Sequence, residues 1–76
     1  MSIGEAIRPN MSVLCSENVQ FGVVDHIEGS NFIKLRRDQF GQHHYIPFDW
    51  VVSVENSSVK VDRPGYQAKK EWITSI

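Results

Sequence analysis

The 76-residue chain lacks most features that would place it in a specialised class of protein. It has a single cysteine, Cys15, so it can form neither an intramolecular disulfide nor a cluster of zinc-bound thiolates. No apolar run approaches the roughly 20 residues that span a bilayer, and the N-terminus has no basic region followed by an apolar one. We therefore expect a protein of the reducing cytoplasm, neither secreted nor inserted in a membrane.

An excess of charge of one sign is also missing. The net charge is -1 at pH 7, so the chain lacks the basic field that drives non-specific binding of nucleic acids. No glycine-rich phosphate loop and no serine in a nucleophile elbow appear in the sequence. We therefore expect no enzyme, no cofactor and no nucleic-acid partner.

The composition fits one small globular domain spanning residues 1–76. Hydrophobic residues make up 41% of the chain and charged residues 22%, a balance typical of folded proteins. A domain of this size hides only about 60% of the surface that its unfolded chain exposes. The core is therefore small, and an interface with a partner would add to its stability.

Several segments show the apolar and polar alternation, or the β-branched composition, that is typical of short strands. Ile33 and Leu35 alternate with charged residues, so one face of that segment is expected to point into the core. Turns rich in Gly, Asn and Ser predict two hairpins. The strand signals fall at residues 11–15, 19–28, 32–37, 43–48, 49–55 and 58–62. We expect a mainly β domain of five or six strands, after a loose segment at residues 1–9.

The C-terminal segment, residues 64–74, changes to a helical period. Ala68, Trp72 and Ile76 are spaced at i, i+4 and i+8, which places them on one stripe of a helix. Asp62 is positioned to act as the helix cap. We expect a short helix that lays Trp72 across the end of the β structure; the alternative is a frayed tail with that indole exposed.

The stretch GQHHYIPFDWV, residues 41–51, holds two of the three histidines of the chain. Consecutive residues of a strand point to opposite faces, so His43 and His44 cannot easily meet at one metal ion. If Ile46 points into the core, His44 shares its side and is held there by hydrogen bonds. His43 then lies with Tyr45 on the outer face.

A small metal- or ligand-binding protein that uses this histidine-rich strand is the alternative function. Such a site would recruit His26 or a nearby acid such as Asp49. Because the spacing of these residues matches no known ligand pattern, we assign no metal ligands.

The same stretch is expected to form a corner of the fold. Pro47 cannot donate a hydrogen bond to a strand ladder, so the strand has to turn or lie at an edge there. Asp49 would cap the turned backbone, and Trp50 would fill the core beside Val52 and Val54. The alternative places this tryptophan outside, as an anchor for a partner.

Charged residues on the predicted strands are expected to have structural or solvent-exposed positions. Asp25 interrupts an apolar alternation, so we expect it beside a bulge, where it accepts backbone hydrogen bonds, or facing solvent. Lys34, Arg36 and Arg37, joined by Lys60 from a neighbouring strand, form the one local basic cluster. The cluster is expected to be a solvated face of a hairpin. The alternative, a site for single-stranded nucleic acid, would need exposed aromatic residues among these charges, and Phe32 and Phe40 could supply two at most.

The order FGVVDHIEGSNFIKLRR, GQHHYIPFDWVVSVE and SVKVD, followed by a distal EW, resembles a bacterial PRC-barrel-like family of unknown function. That family is related to the β-barrel domain of the photosynthetic reaction centre H subunit. The resemblance covers roughly residues 8–74, and HHYIPFDWV is its most specific part. It implies a small, strongly bent antiparallel β-barrel without a known reaction. In relatives such as the ribosome maturation factor, the barrel is a binding element attached to another domain.

We therefore expect a non-catalytic β-barrel module that binds an unidentified protein or forms a homodimer. Unpaired strand edges offer a simple route to self-association. The residues expected to contact the partner are His43, Tyr45, Arg36 and Arg37, and those expected to be structural are Asp25, Pro47, Trp50 and Trp72.

Overall fold

The computed structural model describes residues 6–29 and 31–74, which include six strands and a C-terminal helix. The strands are β1 (Ser12–Leu14), β2 (Gln20–Glu28), β3 (Phe32–Leu35), β4 (Tyr45–Pro47), β5 (Val51–Glu55) and β6 (Ser58–Val61). A 3₁₀ turn, Phe48–Trp50, leads into β5, and helix α1 spans Gly65–Glu71. In the described residues, no helix has the length and apolar character needed to cross a bilayer.

The strands form one sheet in the order β4-β3-β2-β1-β6-β5. The long strand β2 joins its two halves, because its first residues pair with β1 and its last residues pair with β3. A bulge lies between Val24 and His26, where the pairing with β3 shifts register. Every neighbouring pair is antiparallel except β1 and β6, which run parallel.

The prediction of a mainly β fold with a C-terminal helix is confirmed, but the closed antiparallel barrel is wrong. Closure would require β4 to pair with β5, and the outer edge of β4 is already occupied. Tyr45 donates its N–H to the carbonyl of Ile73 at 2.7 Å and accepts the N–H of Ile73 at 2.9 Å. The sheet is mixed rather than antiparallel because a tight turn sets the direction of hairpin neighbours only, and β1 and β6 are joined by no turn.

The core lies on the inner face of this sheet. The predicted inward side chains of β3 are confirmed, since Ile33 and Leu35 are almost fully buried. Val59 and Val61 make the matching face of β6, and Ala68 brings the helix against them. Alternation along each strand therefore determines which side chains pack together.

Trp50 is buried, at 7% exposure, as predicted. Its indole lies under the guanidinium of Arg63, with the carbon of that group 3.9 Å from a ring centroid. Val52 does not pack beside it as predicted: it lies at a bulge of β5 and is 57% exposed. Asp49 is exposed, and no side-chain hydrogen bond from it to a described residue supports its predicted capping role.

Helix α1 begins after Pro64 without a side-chain cap, so the predicted capping role of Asp62 is wrong. The carboxylate of Asp62 accepts a hydrogen bond from Nε of Arg63 at 2.7 Å instead. Arg63 also donates to Glu71 at 2.5 Å, which ties the start of the helix to its last turn. Of the predicted helical stripe, Ile76 lies outside the described residues.

Candidate functional site

An open groove of about 750 Å³ lies between β2, the loop after β3 and the C-terminal helix. We call it the cationic groove, because Arg36, Arg37 and Lys69 line it together with aromatic rings. Its apolar lining includes Phe21, Gly22, Leu35, Phe40 and Trp72.

A stacked pair of rings forms the floor of the cationic groove. The imidazole of His44 and the indole of Trp72 lie 3.7 Å apart, centroid to centroid, at an angle of 11°. Phe21 approaches the same indole at 6.2 Å in a tilted arrangement. His44 is only 6% exposed and lies on the same side of β4 as Ile46, as the alternation predicts. Trp72 is therefore packed against the sheet, and the alternative of a frayed tail with a free indole is not what the chain forms.

Asp38 holds both the floor and the loop beside it. Its Oδ2 lies 2.7 Å from Nε2 of His44, and its Oδ1 accepts the backbone N–H groups of Phe40 at 2.8 Å and Gln42 at 3.0 Å. These bonds, above all the one from His44 and then that from Gln42, lower the pKa of Asp38 to about 2. Gly41 completes the turn at a φ of 80°, a conformation that glycine adopts without strain.

One nitrogen of this cluster has no partner. Nδ1 of His44 is buried, and no group in residues 6–29 or 31–74 hydrogen-bonds to it. A buried polar atom without a partner is unfavourable, so this nitrogen lowers the stability of the fold. The contacts that hold the ring of His44 in place are its bond to Asp38 and its stack on Trp72.

The cations of the groove are free of acidic partners. Within the part of the chain that the structure describes, no carboxylate lies within 4.0 Å of the charged nitrogens of Arg36, Arg37 or Lys69. Arg36 donates to the neutral side-chain oxygen of Asn10, which leaves its charge uncompensated. All three side chains belong to exposed residues. The groove can therefore attract an anionic group.

The other predicted partner residues do not line this groove. His43 donates from Nδ1 to the carbonyl of Leu35 at 2.8 Å, and Tyr45 lies under the ammonium of Lys34 at 5.9 Å. Arg36 and Arg37, in contrast, are part of the lining. The four residues predicted to contact a partner are thus divided between two places.

The remaining histidine lies in a separate polar cluster. The ring nitrogens of His26 lie 2.8 Å from a Glu28 oxygen and 3.5 Å from an Asp25 oxygen, and His43 lies 3.8 Å from the other oxygen of Asp25. The bulge predicted beside Asp25 is present, with imidazoles rather than backbone N–H groups around its carboxylate. Among the described residues, no three His, Cys, Asp or Glu side chains are arranged to hold a metal ion.

One groove cation escaped the prediction from sequence. Phe40, which the sequence offered as an exposed aromatic residue beside the basic cluster, is 83% exposed and lines the groove. Lys69 reaches the groove from the helix, and nothing in the sequence around it indicates that it lies near Arg36 and Arg37. The floor pair of His44 and Trp72 likewise joins residues that are far apart in the chain.

A family model described as an uncharacterized protein conserved in bacteria (DUF2171) matches residues 7–69. The chain belongs to this family. The matched range contains the three cations of the groove as well as Phe40 and His44, and Trp72 follows it. No curated protein and no solved structure matches the chain. The predicted membership of a bacterial family of unknown function is confirmed, and none of the comparisons supports a relation to the PRC barrel.

Proposed function

We propose that the chain is a non-catalytic module that binds an acidic segment of another protein in the cationic groove. The observation that carries this proposal is the set of three cations, without acidic partners among the described residues, around an aromatic floor. Aromatic side chains and arginine are the residues most enriched at the centres of protein interfaces. The cytoplasmic location and the relation to the PRC barrel stay predictions.

The charge distribution favours an acidic partner. Three cations and one carboxylate give the groove a charge of +2, and a chain with a net charge of -1 then carries -3 elsewhere. The oxygens of Asp38 face His44 and the loop N–H groups, so this carboxylate is already engaged in hydrogen bonds. An acidic segment is therefore attracted to the groove and repelled by the rest of the surface.

The geometry supports self-association through strand edges less well than it supports docking of a partner in the groove. The edge of β4 is bonded to Ile73, and the edge of β5 is interrupted by the bulge at Val52. Bulges and covered edges are the means by which proteins prevent pairing between sheets. A homodimer stays a prediction, but the groove is the better docking surface.

Nucleic acid is the competing occupant, since single strands also bind where cations and exposed aromatic rings alternate. The charge of -3 outside the groove disfavours it, because a strand longer than a few nucleotides would run over repelling surface. A short acidic protein segment meets the cations without crossing that surface.

The test uses a fluorescein-labelled peptide of glutamates around one central tryptophan, and fluorescence polarisation. We expect binding that weakens as NaCl rises from about 20 to about 200 mM, no binding of the matched lysine peptide, and weaker binding of an eight-residue oligothymidylate. The proposal would be overturned if the oligothymidylate bound more tightly than the glutamate peptide, or if neither of these two anionic probes bound.

Two adjacent lysines supply a matched control. Lys69 lines the groove and Lys70 does not, although both are exposed and lie in the same helix. Lys69→Glu should raise the Kd of the acidic peptide about tenfold, whereas Lys70→Glu, with the same change in net charge, should change it less than about twofold. Equal losses in the two variants would show that only the overall charge matters and would contradict docking in the groove.

A further inference from the structure

We infer that the groove recognises its acidic segment through one aromatic side chain, which lies over Gly22 between Phe40 and Trp72. This inference rests on the proposed function, because it names the feature that selects among acidic segments. It makes the groove a specific site rather than a general attractor of negative charge.

Gly22 and Leu35 line the apolar part of the groove. The φ of this residue lies outside the left-handed region, so the backbone there does not need a glycine. A Cβ atom at this position would lie 3.1 Å from Cδ1 of Leu35, which is itself 1% exposed. The glycine thus lets the side chain of Leu35 pack closely against the backbone of β2, and both residues contribute apolar surface to the groove, on which a bound ring can lie.

Phe40 is held in an exposed position by its loop. Its N–H bonds to Asp38, whose own N–H bonds to the carbonyl of Gln42 at 3.0 Å, while the N–H of Gly41 bonds to the carbonyl of Asp38 at 3.0 Å. A loop with this many bonds fixes the backbone of Phe40 at the edge of the groove before any partner arrives. An apolar side chain on an ordered backbone loses less entropy on binding than one on a disordered loop, which is a property of an interface anchor.

The groove favours a ring over an aliphatic side chain. Phe21, Phe40 and Trp72 line the groove with aromatic rings, which pair with a further ring in tilted or offset arrangements. The guanidinium groups of the lining can stack on the face of a bound ring. A leucine side chain offers neither interaction.

The experiment compares four acidic peptides that differ only in the central residue: tryptophan, phenylalanine, leucine or alanine. We expect the tryptophan peptide to bind at least tenfold more tightly than the alanine peptide, with leucine closer to alanine than to tryptophan. Phe40→Ala should abolish most of this preference. The matched control is Tyr66→Ala, which also removes an exposed aromatic ring, 70% exposed, but from outside the groove.

The outcomes separate the claim of an aromatic anchor from the claim that acidic segments dock in the groove. If the four peptides bind within about twofold of one another, or if leucine equals tryptophan, the aromatic anchor is wrong and the docking of acidic segments stands. If none of them binds, both claims fail. A preference that survives Phe40→Ala, with unchanged circular dichroism and thermal unfolding in the variant, places the anchor elsewhere and overturns the inference.

Discussion

Trp50 is expected to be the most important single side chain for stability. It is 7% exposed, and a buried tryptophan hides about 150 to 250 Å². At about 25 cal/mol per Å², burial of this area contributes about 4 to 6 kcal/mol, which overlaps the 3 to 5 kcal/mol typically lost in Trp→Ala changes. At about 0.05 to 0.15 kcal/mol per residue, the whole domain has a free energy of unfolding of only about 4 to 11 kcal/mol.

Trp50→Ala should therefore lower the free energy of unfolding by about 3 to 5 kcal/mol, a large share of the total. The assay is urea unfolding at 25 °C followed by circular dichroism, which does not depend on the tryptophan removed. Tyr66→Ala, at a residue 70% exposed, is the control and should change the free energy of unfolding by less than about 0.5 kcal/mol. A loss below about 1 kcal/mol in Trp50→Ala would refute the reasoning, because the core would then not depend on this indole.

Two further predictions concern the cationic groove. The pKa of Asp38, about 2, lies below its ordinary value of 3.8, so its bonds stabilise the fold above pH about 4 and that stabilisation disappears as the pH falls toward 2. Acid unfolding should show this loss in the wild type and a smaller one in Asp38→Asn; equal profiles would contradict the assignment. Gly22→Ala should cost about 1 to 3 kcal/mol in urea unfolding, because its Cβ would crowd Leu35 at 3.1 Å. A neutral or stabilising effect would show that Leu35 has room to move.

Much of the fold could be predicted because it depends on local patterns. The inward residues of β3 follow from alternation, and the two hairpins follow from turns rich in Gly, Asn and Ser. The parallel pairing of β1 with β6 could not be predicted, because no turn connects these strands. The open sheet likewise depends on Ile73, whose backbone occupies the edge of β4 from a distant part of the chain.

The site was predicted less completely, because it too depends on contacts between distant parts of the chain. Arg36 and Arg37 were expected to meet a partner and do line the groove, and alternation placed His44 on the inner side of its strand. Lys69 and Trp72 reach the groove only through the docking of the C-terminal segment. A site assembled from three separate stretches leaves no spacing pattern that a single sequence could reveal.

The most direct test of docking in the groove is ¹H–¹⁵N chemical-shift mapping of the labelled protein with the acidic tryptophan peptide. The account predicts that the largest shifts fall on groove residues such as Gly22, Arg37, Phe40 and Lys69, and that the amides of β5 stay unchanged. Shifts centred on β5, or around His26 and His43, would contradict the claim that this module binds its partner in the cationic groove.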